Sequence, residues 1–206
     1  MQTSSVMESR ALKLRPRETR GDRTRARLVE AALAEFHRHG FERASVARIA
    51  EQAGVSRPTF YFHFPAKEDL LRELQADLQA SLAERIARSR SLRDALDVFV
   101  NGILEVQREV GALVFAEMLR VQTRGRPLSE PEDEPVPVRD ALAPWFVQGS
   151  AELRDGLDPE RASQLYLSSI FGYLIAPAST DPKHHPNDLN ALTSLFLRQP
   201  DPEDSP

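Results

Sequence analysis

Five side chains between positions 57 and 67 have the chemistry to hold a polyanion: Arg57, Thr59, Tyr61, His63 and Lys67. A guanidinium grips phosphate or the acceptor edge of guanine, hydroxyls and an imidazole hydrogen-bond to either, and an ammonium adds a point charge. Such a set works only if a rigid element presents it on one side, and the flanking sequence predicts that element. Ser56 is placed to cap a helix, and Pro58 falls in its first turn, where there is no N–H partner to lose. Phe60 and Phe64, four apart, turn the other face of this helix toward a core. Just upstream, Ser45 is placed to cap a shorter helix whose Val46, Ile49, Ala50 and Ala53 share one face. Gly54 stops that helix, because glycine turns left-handed without a Cβ penalty, and Val55 then tucks inward. Helix, tight turn, helix is the helix-turn-helix plan, whose second helix enters the major groove of double-stranded DNA N-terminus first.

Two longer elements must carry this pair. From 24 to 39, Leu28, Ala32 and Phe36 recur four apart with Val29 and Leu33 beside them, which predicts an amphipathic helix. Gly40 and Phe41 form its stop, and His37 and His39 near the end suit the helix dipole rather than a ligand. After Pro65 a helix is expected over 67–88, with Leu70, Leu74, Leu78, Leu82 and Ile86 in a stripe joined by Leu71. Some 20 residues at ~1.5 Å each span about 30 Å, long enough to lie against two domains as a lever. Pro65-Ala66 offers that helix no polar cap.

Three stretches together, R-A-R-L-V-E-A-A-L-A-E-F-H-R-H-G-F, S-V-A-R-I-A-E-Q-A-G-V-S and P-T-F-Y-F-H-F-P-A-K-E-D-L-L, resemble the DNA-binding domain of the TetR family of bacterial transcriptional regulators. The resemblance covers roughly the first third of the chain. It implies an all-α homodimer: an N-terminal three-helix helix-turn-helix DNA-binding domain, a connecting helix, and a C-terminal helical bundle for ligand binding and dimerisation. Carried over residue by residue, it makes Ser45, Arg57, Pro58, Thr59, Tyr61, His63 and Lys67 DNA-facing. It also sets Arg23 and Arg25, at the start of the first helix, close to the DNA backbone. Arg57 is the expected base contact, with Tyr61 and Lys67 on phosphates. Ala47 falls where some members carry a long base-reading side chain, and its methyl could only touch a thymine methyl.

On this division residues 1–22 form a disordered basic arm, 23–66 the DNA-binding domain, 67–198 the effector-binding and dimerisation domain, and 199–206 a disordered tail. The arm, with Arg10, Lys13, Arg15, Arg17 and Arg20, either follows phosphates or the minor groove or stays solvated. Two helices are expected between Ser91 and Thr123, broken at Gly111, unless the glycine sits inside one kinked helix. Residues 124–137 hold four prolines and four acidic residues and read as a surface loop. A helix over 138–153 with Pro144 inside it follows. Asp158-Pro159-Glu160 starts another, reaching Ala176, and a last one covers 187–198. The helix to Ala176 is apolar on more than one face, and these final helices, about 159–176 and 187–198, resemble the pair with which TetR family members dimerise, where a wide apolar face is expected because a second chain completes the core.

A second candidate site is an apolar effector cavity lined by some of Phe99, Ile103, Phe115, Met118, Trp145, Phe146 and Phe171, since aromatic and methionine side chains suit an adaptable pocket. His184 and His185, in a proline-bounded turn, are expected to be exposed rather than metal ligands, and no metal or cofactor is expected. The chain lacks cysteine, which excludes disulfides and thiolate chemistry. It shows no glycine-rich phosphate loop, nucleophile elbow or paired-histidine helix, and its carboxylates read as solvent-facing, so no enzyme is expected. No apolar run reaches membrane-spanning length and no leader is evident, which gives a cytoplasmic expectation with no membrane partner. The net charge of −4 conceals an asymmetry: residues 1–67 carry 13 Lys+Arg against 7 Asp+Glu, and residues 68–206 carry 14 against 24, or +6 and −10. A basic head on an acidic body both attracts DNA and orients the molecule on it. The expected function is a repressor released from a palindromic operator by a small apolar effector. The alternatives are an effector-independent or protein-partnered DNA binder of the same fold, or an activator.

Overall fold

Helix boundaries follow local chemistry closely in the computed structural model, which describes residues 20–123, 137–176 and 183–199. The described residues form α1 (Arg20–Arg43), α2 (Val46–Gln52), α3 (Arg57–His63), α4 (Lys67–Ile86), α5 (Leu92–Val110), α6 (Ala112–Thr123), α7 (Pro137–Gln148), α8 (Pro159–Ile175) and α9 (His185–Ser194), so the fold is all-α. Ser56 Oγ accepts from the Thr59 N–H at 3.2 Å, Ser91 Oγ from the Asp94 N–H at 3.1 Å and Asp158 Oδ1 from the Arg161 N–H at 2.9 Å. Each bond satisfies a donor that the helix itself leaves unpaired. Gly111, at φ 80°, separates α5 from α6 and decides for two helices over one kinked helix. At the start of α4 the missing cap is supplied from within, because Asp69 accepts from the Ala66 N–H at 2.9 Å.

Several expected boundaries shift. α1 begins at Arg20, so residues 20–22 are helical and not part of an arm; Asp22 in the first turn suits the helix dipole. The rest of that arm, 1–19, lies outside the described residues, as do 124–136 of the acidic loop and 200–206 of the tail. Ser45 precedes α2 but its hydroxyl makes no cap bond; its N–H donates instead to Glu35 Oε1 at 3.1 Å. α4 stops at Ile86, two residues early.

α7 ends at Gln148 instead of reaching Leu153, and a 3-10 turn over Ser150–Glu152 follows. The reason is a close approach: a Cβ on Gly149 would lie 2.5 Å from Leu92 Cβ, so α7 gives way where the start of α5 crosses it. α9 starts at His185 and ends at Ser194, because the chain beyond it pairs with the turn after α7. Arg154 N–H donates to Phe196 O at 2.9 Å and Arg198 N–H to Glu152 O at 2.7 Å, around a Leu153–Leu197 bridge. His185 is buried rather than exposed. Its Nδ1 lies 2.9 Å from Gln107 Nε2 and its ring packs edge-on to Tyr173, while His184 stays exposed as expected.

α4 is the spine. It packs against α1, α5, α6 and α7. Leu70, Leu71, Leu74, Leu82 and Ile86 are buried and Leu78 is partly buried, as the stripe predicted. α1 also meets α6, so the N-terminal helices touch the rest of the chain at two places.

Candidate nucleic-acid interface

Phe60 and Phe64 are fully buried and pin α3 on its inner side. At about 100° per residue, Pro58 and Phe62 stand roughly opposite Phe60, at about 160° and about 200°, while Thr59 and Tyr61 flank them at about 100° to either side. Arg57 and His63 lie about 60° from Phe60, at the edges of the face. Arg57 and Pro58 are exposed, Tyr61 is 46% exposed, and Thr59 and His63 are half-buried. Arg57 has no ion-pair partner among the described residues. On α2, Ala47 is exposed and Ser45 half-buried, and Arg23 is exposed near the start of α1. Sequence reasoning missed Phe62, the most exposed large apolar side chain among the described residues at 83%. Counting around the helix from Phe60 would have found it; the sequence reading places Phe60 and Phe64 in the core and leaves Phe62 between them unassigned.

Three other cations brace this reader. Arg25 donates from Nε and Nη2 to Glu73 at 2.6 and 2.8 Å, from Nη1 to His63 O at 3.4 Å, and lies 4.5 Å over the Phe64 ring. The hydrogen bond to Glu73 holds its guanidinium above the ordinary arginine value, against some desolvation. Arg25 therefore joins α1 to α4 and to the end of α3, instead of reaching outward with Arg23. Lys67 Nζ donates to Phe41 O at 2.8 Å and Glu42 O at 3.0 Å and lies 4.6 Å from the Phe41 ring centre. Two of its three donors thus close the end of α1.

The third brace contradicts the expectation that the carboxylates face solvent. Glu35 is fully buried in α1; Arg48 of α2 donates to Oε1 at 2.7 Å, and His39 Nε2 lies 3.6 Å from Oε2. The Arg48 hydrogen bond, helped by the Ser45 N–H and opposed by burial, holds the Glu35 carboxyl below its ordinary value. α2 is thereby locked to α1 by a charge pair as well as by Ile49 and Ala50.

In the C-terminal helices, Phe99, Ile103, Phe115, Met118 and Phe146 are buried, and Trp145 and Phe171 partly so. Tyr166 gathers the rings: Phe99 lies 5.9 Å and Phe146 5.8 Å from it, and Phe171 lies 6.3 Å from Phe99. Its hydroxyl is 3.0 Å from Thr193 Oγ1, and burial pushes the phenol well above its ordinary value. Trp145 Nε1 donates to Ile86 O at 3.1 Å, tying α7 to the end of α4. A half-open cleft of about 580 Å³ lies elsewhere, among Leu104, Gln107, Arg108, Gly111, Ala112 and Pro186, and none of the seven expected cavity residues lines it. Among the described residues no helix is long and apolar enough to cross a membrane.

Comparison with known proteins agrees with this geometry. A profile described as bacterial regulatory proteins, tetR family, matches residues 28–74, which run from α1 into α4. The probable HTH-type transcriptional regulator ArpR of Pseudomonas putida is 35% identical over 107 residues, 52% of this chain and 48% of that protein. The chain thus spans about half the length of the curated relatives it matches first. The fatty acid metabolism regulator protein of Bacillus subtilis (strain 168) is 24% identical over 178 residues, 82% of this chain and 90% of that one. Among solved structures, the TetR family protein CprB from S. coelicolor A3(2) is 25% identical with a TM-score of 0.58, covering 87% of this chain and 91% of that chain.

Proposed function

We propose that the chain, whose residues 28–74 match the profile of the tetR family of bacterial regulatory proteins, is a member of that family and a cytoplasmic homodimeric repressor that binds a palindromic operator. The observation that carries this reading is α3 itself, a helix locked on its inner side by Phe60 and presenting Arg57, Thr59 and Tyr61 outward beside the groove-ready turn. Arg57 contacts a base, and Tyr61 and the remaining donor of Lys67 hold phosphates. Ser45, Pro58, Thr59, His63 and Arg23 complete the surface, and Arg25 serves it as a brace.

Dimerisation through α8 and α9 is supported by their outer faces. Leu165, Ile175 and Leu195 are exposed, and the open surface at Gly172 leaves room for a second backbone. Two heads would then sit about 34 Å apart, one turn of duplex. A small apolar effector bound among the aromatic residues around Phe99 and Phe146 favours a conformer with the wrong spacing, transmitted through α4. The shift is limited to the effector's differential affinity for the two conformers. One observation favours the effector-independent reading: the rings around Tyr166 already pack on one another as a core.

The test is selection of bound sequences from random duplex DNA, repeated with pools of small apolar compounds. A palindrome lost with one compound establishes the effector-responsive repressor. A palindrome indifferent to every pool transfers the weight to the effector-independent reading, and no enriched sequence overturns both.

A further inference from the structure

Phe62 is 83% exposed, an arrangement that leaves nearly a whole aromatic ring in water. Scattered exposed apolar side chains are normal on soluble proteins, but the setting of this one is not arbitrary. It lies roughly opposite the buried Phe60 and one turn from Pro58, so the two make an apolar ridge along the outermost line of α3. Its ring makes a T-shaped contact with His63, at 5.3 Å between ring centres. The neighbours of the ridge are polar or cationic: Arg57, Thr59, Tyr61 and His63. The first 67 residues carry a net charge of +6, so the occupant that fits this surface is a polyanion with apolar groups at its recognition edge.

Double-stranded DNA meets that description at one kind of site. Thymine places its 5-methyl group in the major groove, the only apolar feature among the base edges there. We propose that Phe62, backed by Pro58, reads a thymine methyl in each half-site and so sets part of the operator's sequence. The inference rests on the DNA-binding reading above and adds to it a specificity residue that makes no hydrogen bond. It also explains how a reader with Ala47 in place of a long polar side chain obtains a second base determinant beside Arg57. Arg57 reports guanine through its acceptors, and Phe62 reports thymine through its methyl.

The experiment replaces each thymine of the selected operator singly by deoxyuridine, which removes the methyl and leaves the base-pairing edge unchanged. Wild-type protein is expected to lose about fourfold in affinity at one symmetric position, the factor for burying a single methyl. In Phe62→Ala the same replacement is expected to have no effect, while Tyr61→Phe keeps the fourfold loss. Because Phe62 is exposed, Phe62→Ala is expected to melt at the wild-type temperature. If no thymine responds, or if Phe62→Ala still distinguishes thymine from deoxyuridine, the proposal is overturned. A wild-type protein that enriches no sequence at all instead overturns the DNA-binding reading beneath it.

Discussion

Glu35 has no exposed surface, yet it is charged and holds α2 to α1 through Arg48 and the Ser45 N–H. A carboxyl whose pKa is lowered in the folded state stabilises the fold above the unfolded carboxylate value of about 4.3, and that contribution is lost as pH falls through the folded value. Wild-type stability is therefore expected to drop more steeply below about pH 4.3 than that of Glu35→Gln. Equal slopes in thermal melts across that window count against the brace. Arg57→Ala is expected to lose about 1–3 kcal/mol of discrimination at one operator position, measured over single-base variants. Arg25→Ala is a contrasting case. It is expected to lower stability by about 0.5–1 kcal/mol, since the pair with Glu73 is partly exposed and screened, while the salt slope of DNA binding stays unchanged. Lys67→Ala weakens all sequences alike and flattens that slope by about 0.9 per phosphate released. At this scale the sequence was legible for near neighbours such as Ser56 and Thr59 or Asp158 and Arg161, though not for Ser45, whose cap bond does not form, or for Asp69, which caps α4 at Ala66. It was silent where the partner is distant: Arg25 with Glu73, Glu35 with Arg48, and His185 with Gln107.

The apolar stripes announced the helices, because a 3.6-residue period survives whatever the helix later packs against. What ended them was less visible. Gly54 and Gly111 break helices through their own backbone preference and could be read directly. Gly149 and the segment after Ser194 end theirs because another element intervenes, which a local window does not contain. The close approach of Leu92 makes a specific case. Gly149→Ala is expected to destabilise the protein by about 1–3 kcal/mol by forcing α5 and α7 apart, since Leu92 Cβ is fixed to its backbone and cannot swing aside. A denaturant midpoint unchanged by that substitution would show that the crossing is looser than described.

For the whole molecule, the all-α class and the reader were legible from the sequence, while the packed aromatic cluster and the separate cleft were not. Composition identifies aromatic residues but not whether their rings fill the space between helices or surround a void. The proposed assembly is tested on the exposed faces of α8 and α9. Leu165→Arg combined with Ile175→Arg is expected to yield a monomer in sedimentation at concentrations where the wild type is a dimer. Operator affinity should fall with it, because each head then binds a half-site alone. A double variant that remains dimeric moves the interface elsewhere.

The side chains that brace α3 and the side chains that face outward from it are almost entirely different residues. Arg25, Glu35 and Arg48 hold the frame with their charges paired, Arg25 to Glu73 and Arg48 to Glu35, whereas Pro58, Thr59, Tyr61 and Phe62 carry little of the core. Under the proposed function, operator preference is therefore expected to be exchangeable. A library randomised at those outer positions samples new recognition codes on an unchanged scaffold, and Lys67, which closes the end of α1 and in the proposed reading also holds a phosphate, is the position to leave alone.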